Sequence, residues 1–469
     1  MSGFSLKAMI IPGKNINCLQ TEGWGPGIIY RLKQERMFAN IETWEVNIRL
    51  NRIIFHIDVN SAFLSWEAVY RLAHKGGKQD LRKIASAVGG DAALRHGIIL
   101  AKSIPAKKYG VKTGEALWEA KRKCPDLVLV PPNYGLYERC SGAFMEILRD
   151  YSDVVEPYSI DEAFVDMSAS CHLFGTPKEV GQKIKERIYE TLGFTVNVGI
   201  SNNKLLAKMA SDFQKPNRVH TLYPKEIEEK MWPLPVSDLF FVGRATAKKL
   251  FSVGIRTIKE LAAADPGWIK GLLKKHGEVI WAFANGVDLS PVLMEPEANK
   301  GYGNSTTTPF DVTDVEMADK VLLALSETVG ARLRMDGVRA GMVSVGIRYT
   351  DLSYVSHQKK LYNATDLTVE IYQATRGLFR ELWNGQPVRH LGVHTADIRG
   401  RERFRQGSLF DEMDYEKLSR LDKTIDDIRD CFGMDAVKRA VFLGQAIDHM
   451  SGGISREKRT IDYDKLEIW

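Results

Sequence analysis

Two apolar segments that each run into acidic residues set the strongest limit on what this chain can fold into. The first is I-I-F-H-I-D-V-N-S-A-F at 53–63, a hydrophobic strand pattern leading to Asp58. The second, V-E-P-Y-S-I-D-E-A-F-V-D at 155–166, is an apolar strand interrupted by Asp161 and Glu162. A carboxylate in a buried strand needs a partner for its charge. Asp58, Asp161 and Glu162 together make a natural seat for divalent metal. Magnesium favours a few carboxylate oxygens with water and substrate phosphates. Two such ions ~4 Å apart can activate an attacking hydroxyl and stabilise the leaving oxygen of a phosphoryl transfer.

Neighbours on a regular strand point to opposite faces, so Asp161 and Glu162 can share a site only where the chain bends. Pro157 just upstream, and the alternation restarting at Ala163, allow that bend. An Asp-Glu pair alone reads more simply as a hairpin with solvated acidic tips. The second apolar run, with its own Asp58, argues for the metal seat.

A chain of 469 residues holds several domains. Its net charge of +6 suits a polyanionic partner without identifying one. The cysteines (Cys18, Cys124, Cys140, Cys171, Cys431) are scattered and lack C-x-x-C spacing. They read as reduced thiols of a cytoplasmic protein, not as a disulfide frame or zinc site. No apolar run reaches membrane-spanning length. The first residues are too briefly apolar for a secretory signal.

Residues 1–50 read as an extension of unknown role, or as the product of a start upstream of Met37. From 126 to 225, helices alternate with strands of an antiparallel sheet, which predicts an α+β architecture. The stretch 226–293 is mostly helical, and 294–304 has the Pro, Gly, Asn and Glu content of a linker. Between 305 and 404 the order reads β-α-β-β-α-β, a compact split unit. His390 and His394 lie four apart, but in a strand pattern that puts them about 13 Å from each other. They are rejected as a metal pair. The tail, 405–469, opens with R-Q-G-S-L-F.

D-V-N-S-A-F, Y-S-I-D-E-A-F-V-D and V-G-I-S-N-N-K-L-L-A-K-M-A-S-D-F-Q-K-P-N resemble the core motifs of Y-family translesion DNA polymerases. Within that family they look like bacterial polymerase IV or the polymerase V catalytic subunit. The resemblance implies a multidomain right-hand polymerase: a palm over 51–225, fingers inserted at about 63–125, a helix-hairpin-helix thumb over 226–293, and a little finger over 305–404. It implies that Asp58, Asp161 and Glu162 are catalytic and hold two Mg²⁺ ions, helped by the Val59 carbonyl. Phe63 falls at the steric-gate position, where an aromatic ring excludes a ribose 2′-hydroxyl.

Lys107 matches a position where the family usually has arginine, and Lys215 matches the lysine of K-P-N; both are expected on the nucleotide triphosphate. Relatives often carry a tyrosine where this chain has Ile104. The Gly199–Ser201 junction is expected to bring helix amides towards phosphate. In the thumb, Gly243, Lys248 and Lys249 are expected on DNA, although Phe241 replaces one of the usual two glycines. Arg348, Lys359, Lys360 and Arg389 are looser candidates for phosphate contacts. Gln406, Leu409 and Phe410 resemble the peptide that docks on the bacterial sliding clamp.

The reading is therefore an error-prone, template-directed DNA polymerase for translesion synthesis. It takes primer-template DNA and dNTPs, works as a monomer associated with the nucleoid, and has the clamp and accessory subunits as further partners. The alternatives are a non-catalytic adaptor of the same fold, which binds DNA and clamp, and a two-metal nuclease.

Overall fold

The computed structural model describes residues 52–90, 97–295, 297–400, 414–444 and 447–450. The expectations for 1–50 and for Gln406, Leu409 and Phe410 lie outside these residues.

The first layer is a five-stranded sheet in the order β5-β6-β1-β7-β8. β1 (Ile54–Val59) is its centre and is buried at every position. That fits a run with no polar alternation, since both of its faces are covered. Ser61 then takes a left-handed conformation (φ 49°) and turns the chain into α1 (Ala62–His74).

A second sheet, β3-β2-β4, is built from β2 (Ser86–Gly89), β3 (Ile99–Lys102) and β4 (Val128–Val130). It carries α2 (Ile104–Lys108) and α3 (Leu117–Lys123). β4 pairs parallel to β2, so this small sheet reaches past residue 125. α4 (Tyr134–Arg149) then returns to the first layer. β5 (Val155–Pro157) and β6 (Glu162–Asp166) form a hairpin, followed by α5 (Cys171–Phe174) and α6 (Pro177–Leu192). A Thr176–Glu179 capping box starts α6 and a left-handed Gly193 ends it. β7 (Val196–Ser201), α7 (Lys204–Asp212) and β8 (Val219–Thr221) complete the layer. Phe55, Trp66, Phe144, Ile184, Ile188 and Phe194 fill its core.

A helical unit follows: α8 (Ile227–Lys230), α9 (Arg244–Ser252), α10 (Ile258–Ala263), α11 (Pro266–Leu273) and α12 (Lys275–Ala284). Its core joins Leu250, Leu261 and Ile280 to Leu205, Leu206 and Met209 of α7. The helical unit thus packs directly on the first layer.

The last unit has the expected β-α-β-β-α-β order: β9 (Gly301–Val312), α13 (Val315–Met335), β10 (Val338–Tyr349), β11 (Tyr354–Thr365), α14 (Thr368–Leu382) and β12 (Val388–Gly400). The antiparallel sheet runs β11-β10-β12-β9. β9 begins at Gly301, inside the stretch 294–304 read as linker. Its glycines are there because of pairing: a Cβ on Gly301 would meet the Thr395 carbonyl at 2.4 Å, and one on Gly303 would meet His394 Nδ1 at 2.1 Å. His390 Nδ1 lies 3.0 Å from Thr307 Oγ1.

α15 (Tyr415–Phe432) lies over this unit. Its Asp422 accepts from the Thr368 N–H at 2.9 Å, capping α14 from outside, and pairs with the buried Arg334 at 3.2 Å. Cys124, Cys140, Cys171 and Cys431 are free thiols. Among the described residues no helix is long and apolar enough to cross a membrane.

Candidate active site

β1 and β6 run antiparallel with Asp58 opposite Glu162. The required bend is present. The Tyr158 and Ser159 N–H groups both donate to the Glu162 carbonyl, at 2.9 and 3.1 Å, turning the chain just before β6. Val59 N–H holds the Asp161 carbonyl at 3.0 Å, and Ser159 Oγ donates to Asp161 Oδ1 at 2.8 Å. The backbone turn brings two consecutive carboxylates to the end of β1.

Two ammonium groups balance this charge. Lys208 Nζ lies 2.6 Å from Glu162 Oε1 and 3.5 Å from Asp58 Oδ2. Lys215 Nζ lies 3.0 Å from Asp58 Oδ1 and 2.9 Å from Asp212 Oδ1. Burial pushes the Asp58 carboxyl up, but hydrogen bonding with Glu162 and the charges of Lys215 and Lys208 outweigh it, so it ends below its ordinary value. Burial, then Asp58, push Glu162 up to about 7. Burial also raises Asp161, with Ser159 opposing and Asp58 adding to the rise. Lys208 is raised too, because the surrounding carboxylates outweigh its own burial. Glu162 rises even beside its cation because burial and the facing Asp58 carboxylate together outweigh Lys208. The donor set of carboxylate and carbonyl oxygens fits a hard divalent cation.

A cavity of about 480 Å³ opens beside these groups. Asp58, Val59, Phe63, Lys107, Asp161 and Lys215 all line it, although they come from separate parts of the sequence. Glu162 does not line it, but stands behind Asp58 against Lys208. Ile104 is half exposed at the cavity.

Gly243, Lys248 and Lys249 sit apart in the helical unit. Gly243 starts α9 without a side-chain cap, and both lysines are exposed. Phe241, before that turn, is 54% exposed and has φ 70°. Arg348, Lys359 and Lys360 are exposed on the last unit, whereas Arg389 is half-buried.

The Gly199–Ser201 expectation is corrected. β7 is antiparallel to β1, so Ser201 pairs with Ile54, at the far end from Asp58. The first amides of α7 are already used: Asn203 Oδ1 accepts from Leu206 N–H at 2.8 Å, and Asp288 accepts from Leu205 N–H at 3.0 Å. The far half of α7 serves the site instead, through Lys208.

Sequence reading missed Lys208, although a lysine inside L-L-A-K-M-A needs an anion once that helix is buried. It also missed Lys102, which lines the cavity and donates to Thr113 at 3.0 Å. Burial, and then the charge of Lys107, lower its pKa.

A carboxylate-bearing sheet, a covering small sheet, a helical unit packed on α7 and a split β-α-β-β-α-β unit define a right-hand polymerase of the α+β class. The impB/mucB/samB family matches residues 57–212, its C-terminal domain matches 299–409, and the IMS family HHH motif matches 224–255. DNA polymerase IV of Clostridium acetobutylicum is 44% identical over 394 residues, spanning 84% of this chain and 99% of the relative. DNA polymerase IV 2 of Bacillus subtilis is 38% identical over 408 residues, spanning 85% and 97%. A solved Y-family polymerase chimera of Dbh and Dpo4 overlays with a TM-score of 0.64 at 24% identity, covering 74% of this chain and 99% of that one. The chain belongs to the impB/mucB/samB family, together with these DNA polymerases IV.

Proposed function

We propose that this protein is a DNA-directed DNA polymerase that extends a primer across damaged template bases. The observation that carries this reading is the gathering of Asp58, Asp161, Phe63, Lys107 and Lys215 around one cavity, with Glu162 directly behind. About 480 Å³ is in the range of nucleotide-sized sites.

Asp58, Asp161, Glu162 and the Val59 carbonyl would hold the divalent metal, which we assign as two Mg²⁺ ions. When bound, these supply a lowered pKa for the primer 3′-hydroxyl and charge stabilisation for the departing pyrophosphate. Lys215 and Lys107 pair with triphosphate oxygens, as point charges without the fork of arginine. Phe63 lies under the sugar and excludes a 2′-hydroxyl by occupying its space. Gly243, Lys248 and Lys249 grip the DNA backbone without reading bases. Gln406, Leu409 and Phe410 are assigned to the sliding clamp from their residues alone. The protein would act in the cytoplasm, at the nucleoid. Intact carboxylates weigh against a non-catalytic adaptor, and the polymerase domain order weighs against a nuclease.

Primer extension with Mg²⁺ and all four dNTPs, on undamaged and abasic templates, tests this reading. The parent protein is expected to lengthen the primer by short additions. Asp161→Ala is expected to abolish extension while leaving DNA binding nearly intact. Extension retained in that variant would sink the metal assignment, and a shortened primer would point to a nuclease.

A further inference from the structure

Phe63 has one side on the cavity and the other on a set of rings. Tyr137, fully buried, stacks on it with centroids 4.4 Å apart and planes 11° from parallel. Tyr134 meets Phe63 edge-on at 6.2 Å, and Trp66 lies at 5.9 Å. Tyr137 is tethered at its far end, where its hydroxyl donates to Glu67 Oε1 at 3.1 Å. Glu67 is itself buried, and its other oxygen accepts from Arg71 Nε at 3.0 Å, one turn along α1. Burial, and then the Glu67 charge, push the Tyr137 phenol well above its ordinary range, so it stays a donor.

None of Glu67, Arg71 and Tyr137 lines the cavity. Yet a buried carboxylate is costly unless it is held by donors, as this one is. A steric gate also works only while its ring cannot step aside. A ring stacked on a tyrosine tethered by a hydrogen bond has no such exit.

We propose that Glu67 and Tyr137 are positioning residues for sugar discrimination: Glu67 fixes the Tyr137 ring, and the Tyr137 ring fixes Phe63 beneath the sugar. This rests on the reading of Phe63 as the gate.

The test compares kcat/KM for a dNTP and for the matching rNTP in the full-length polymerase. Phe63→Ala reports on the gate itself. Tyr137→Leu removes the stack, Tyr137→Phe keeps the stack and cuts the tether, and Glu67→Gln keeps an acceptor for the phenol. The dNTP preference is expected to fall about a hundredfold in Phe63→Ala, about tenfold in Tyr137→Leu and severalfold in Tyr137→Phe, through faster rNTP use. Glu67→Gln is expected to stay within about twofold of the parent. If Phe63→Ala loses preference while both Tyr137 variants keep it, the proposal fails and the gate stands. If Phe63→Ala keeps its preference, the gate reading fails and takes the proposal with it. Thermal melting identifies a misfolded variant, and Tyr137→Phe, which changes one buried hydroxyl, then decides alone. A loss of dNTP and rNTP use in equal proportion would mean that Tyr137 is merely structural.

Discussion

At the scale of single residues, the site is a charge balance in which the acids and Lys215 were legible and Lys208 was not. Asp58 and Asp161 announce themselves because each breaks an apolar run. Lys208 does not, because its partners come from β1 and β6, and only packing shows that α7 crosses them. Breaking a buried pair by removing one member typically costs about 3–5 kcal/mol, because the remaining charge is left without compensation. Lys208→Met is therefore expected to lower the melting temperature markedly in EDTA, with Asp58 and Glu162 left facing each other. Added Mg²⁺ is expected to recover part of that loss, because a divalent ion can replace the missing ammonium. Melting curves with and without Mg²⁺ check this, and equal losses in both would argue against a metal at these carboxylates.

At the scale of elements, some helix ends are set by their own residues. α6 begins at its Thr176–Glu179 box and closes at Gly193, as such residues direct. Gly199 was readable only as part of a strand end. The structure gives it another reason: a Cβ there would lie 2.0 Å from the Ala207 carbonyl oxygen and 2.4 Å from the Ser211 nitrogen, both backbone atoms of α7. α7 rests against β7 because position 199 has no side chain. Overpacking of this kind costs about 1–3 kcal/mol, and more when backbone must move. Gly199→Ala is expected at or above the top of that range by urea unfolding, with polymerase activity falling further than stability because Lys208 is displaced along with α7. Wild-type stability would show that the helix can retreat freely. The extent of β9 was likewise hidden, since Gly301 and Gly303 look like linker until their cross-strand neighbours are known.

At the scale of the whole molecule, the order of units was written in the sequence, whereas their joints were not. Periodicity marks the split unit after residue 300 because its strands and helices are long. It cannot reveal that Leu205, Leu206 and Met209 belong to the core of the helical unit. That shared core predicts a cutting pattern. Limited proteolysis is expected to sever the exposed stretch 297–300 first, leaving the first sheet and the helical unit in one fragment. An early cut near residue 226 that frees the helical unit would contradict the shared core.

The bare backbone at position 199 has a consequence for how this active site can diverge. Around the cavity, Ile104 and Lys107 are exposed, so their side chains can be exchanged without disturbing what lies beneath. Position 199 does not line the cavity, yet a single methyl there would press on the backbone of a helix that carries Lys208 on one flank and a neighbouring unit's core on the other. The rim is thus open to gradual change. The place of Lys208 and the seating of the helical unit both depend on that one bare position.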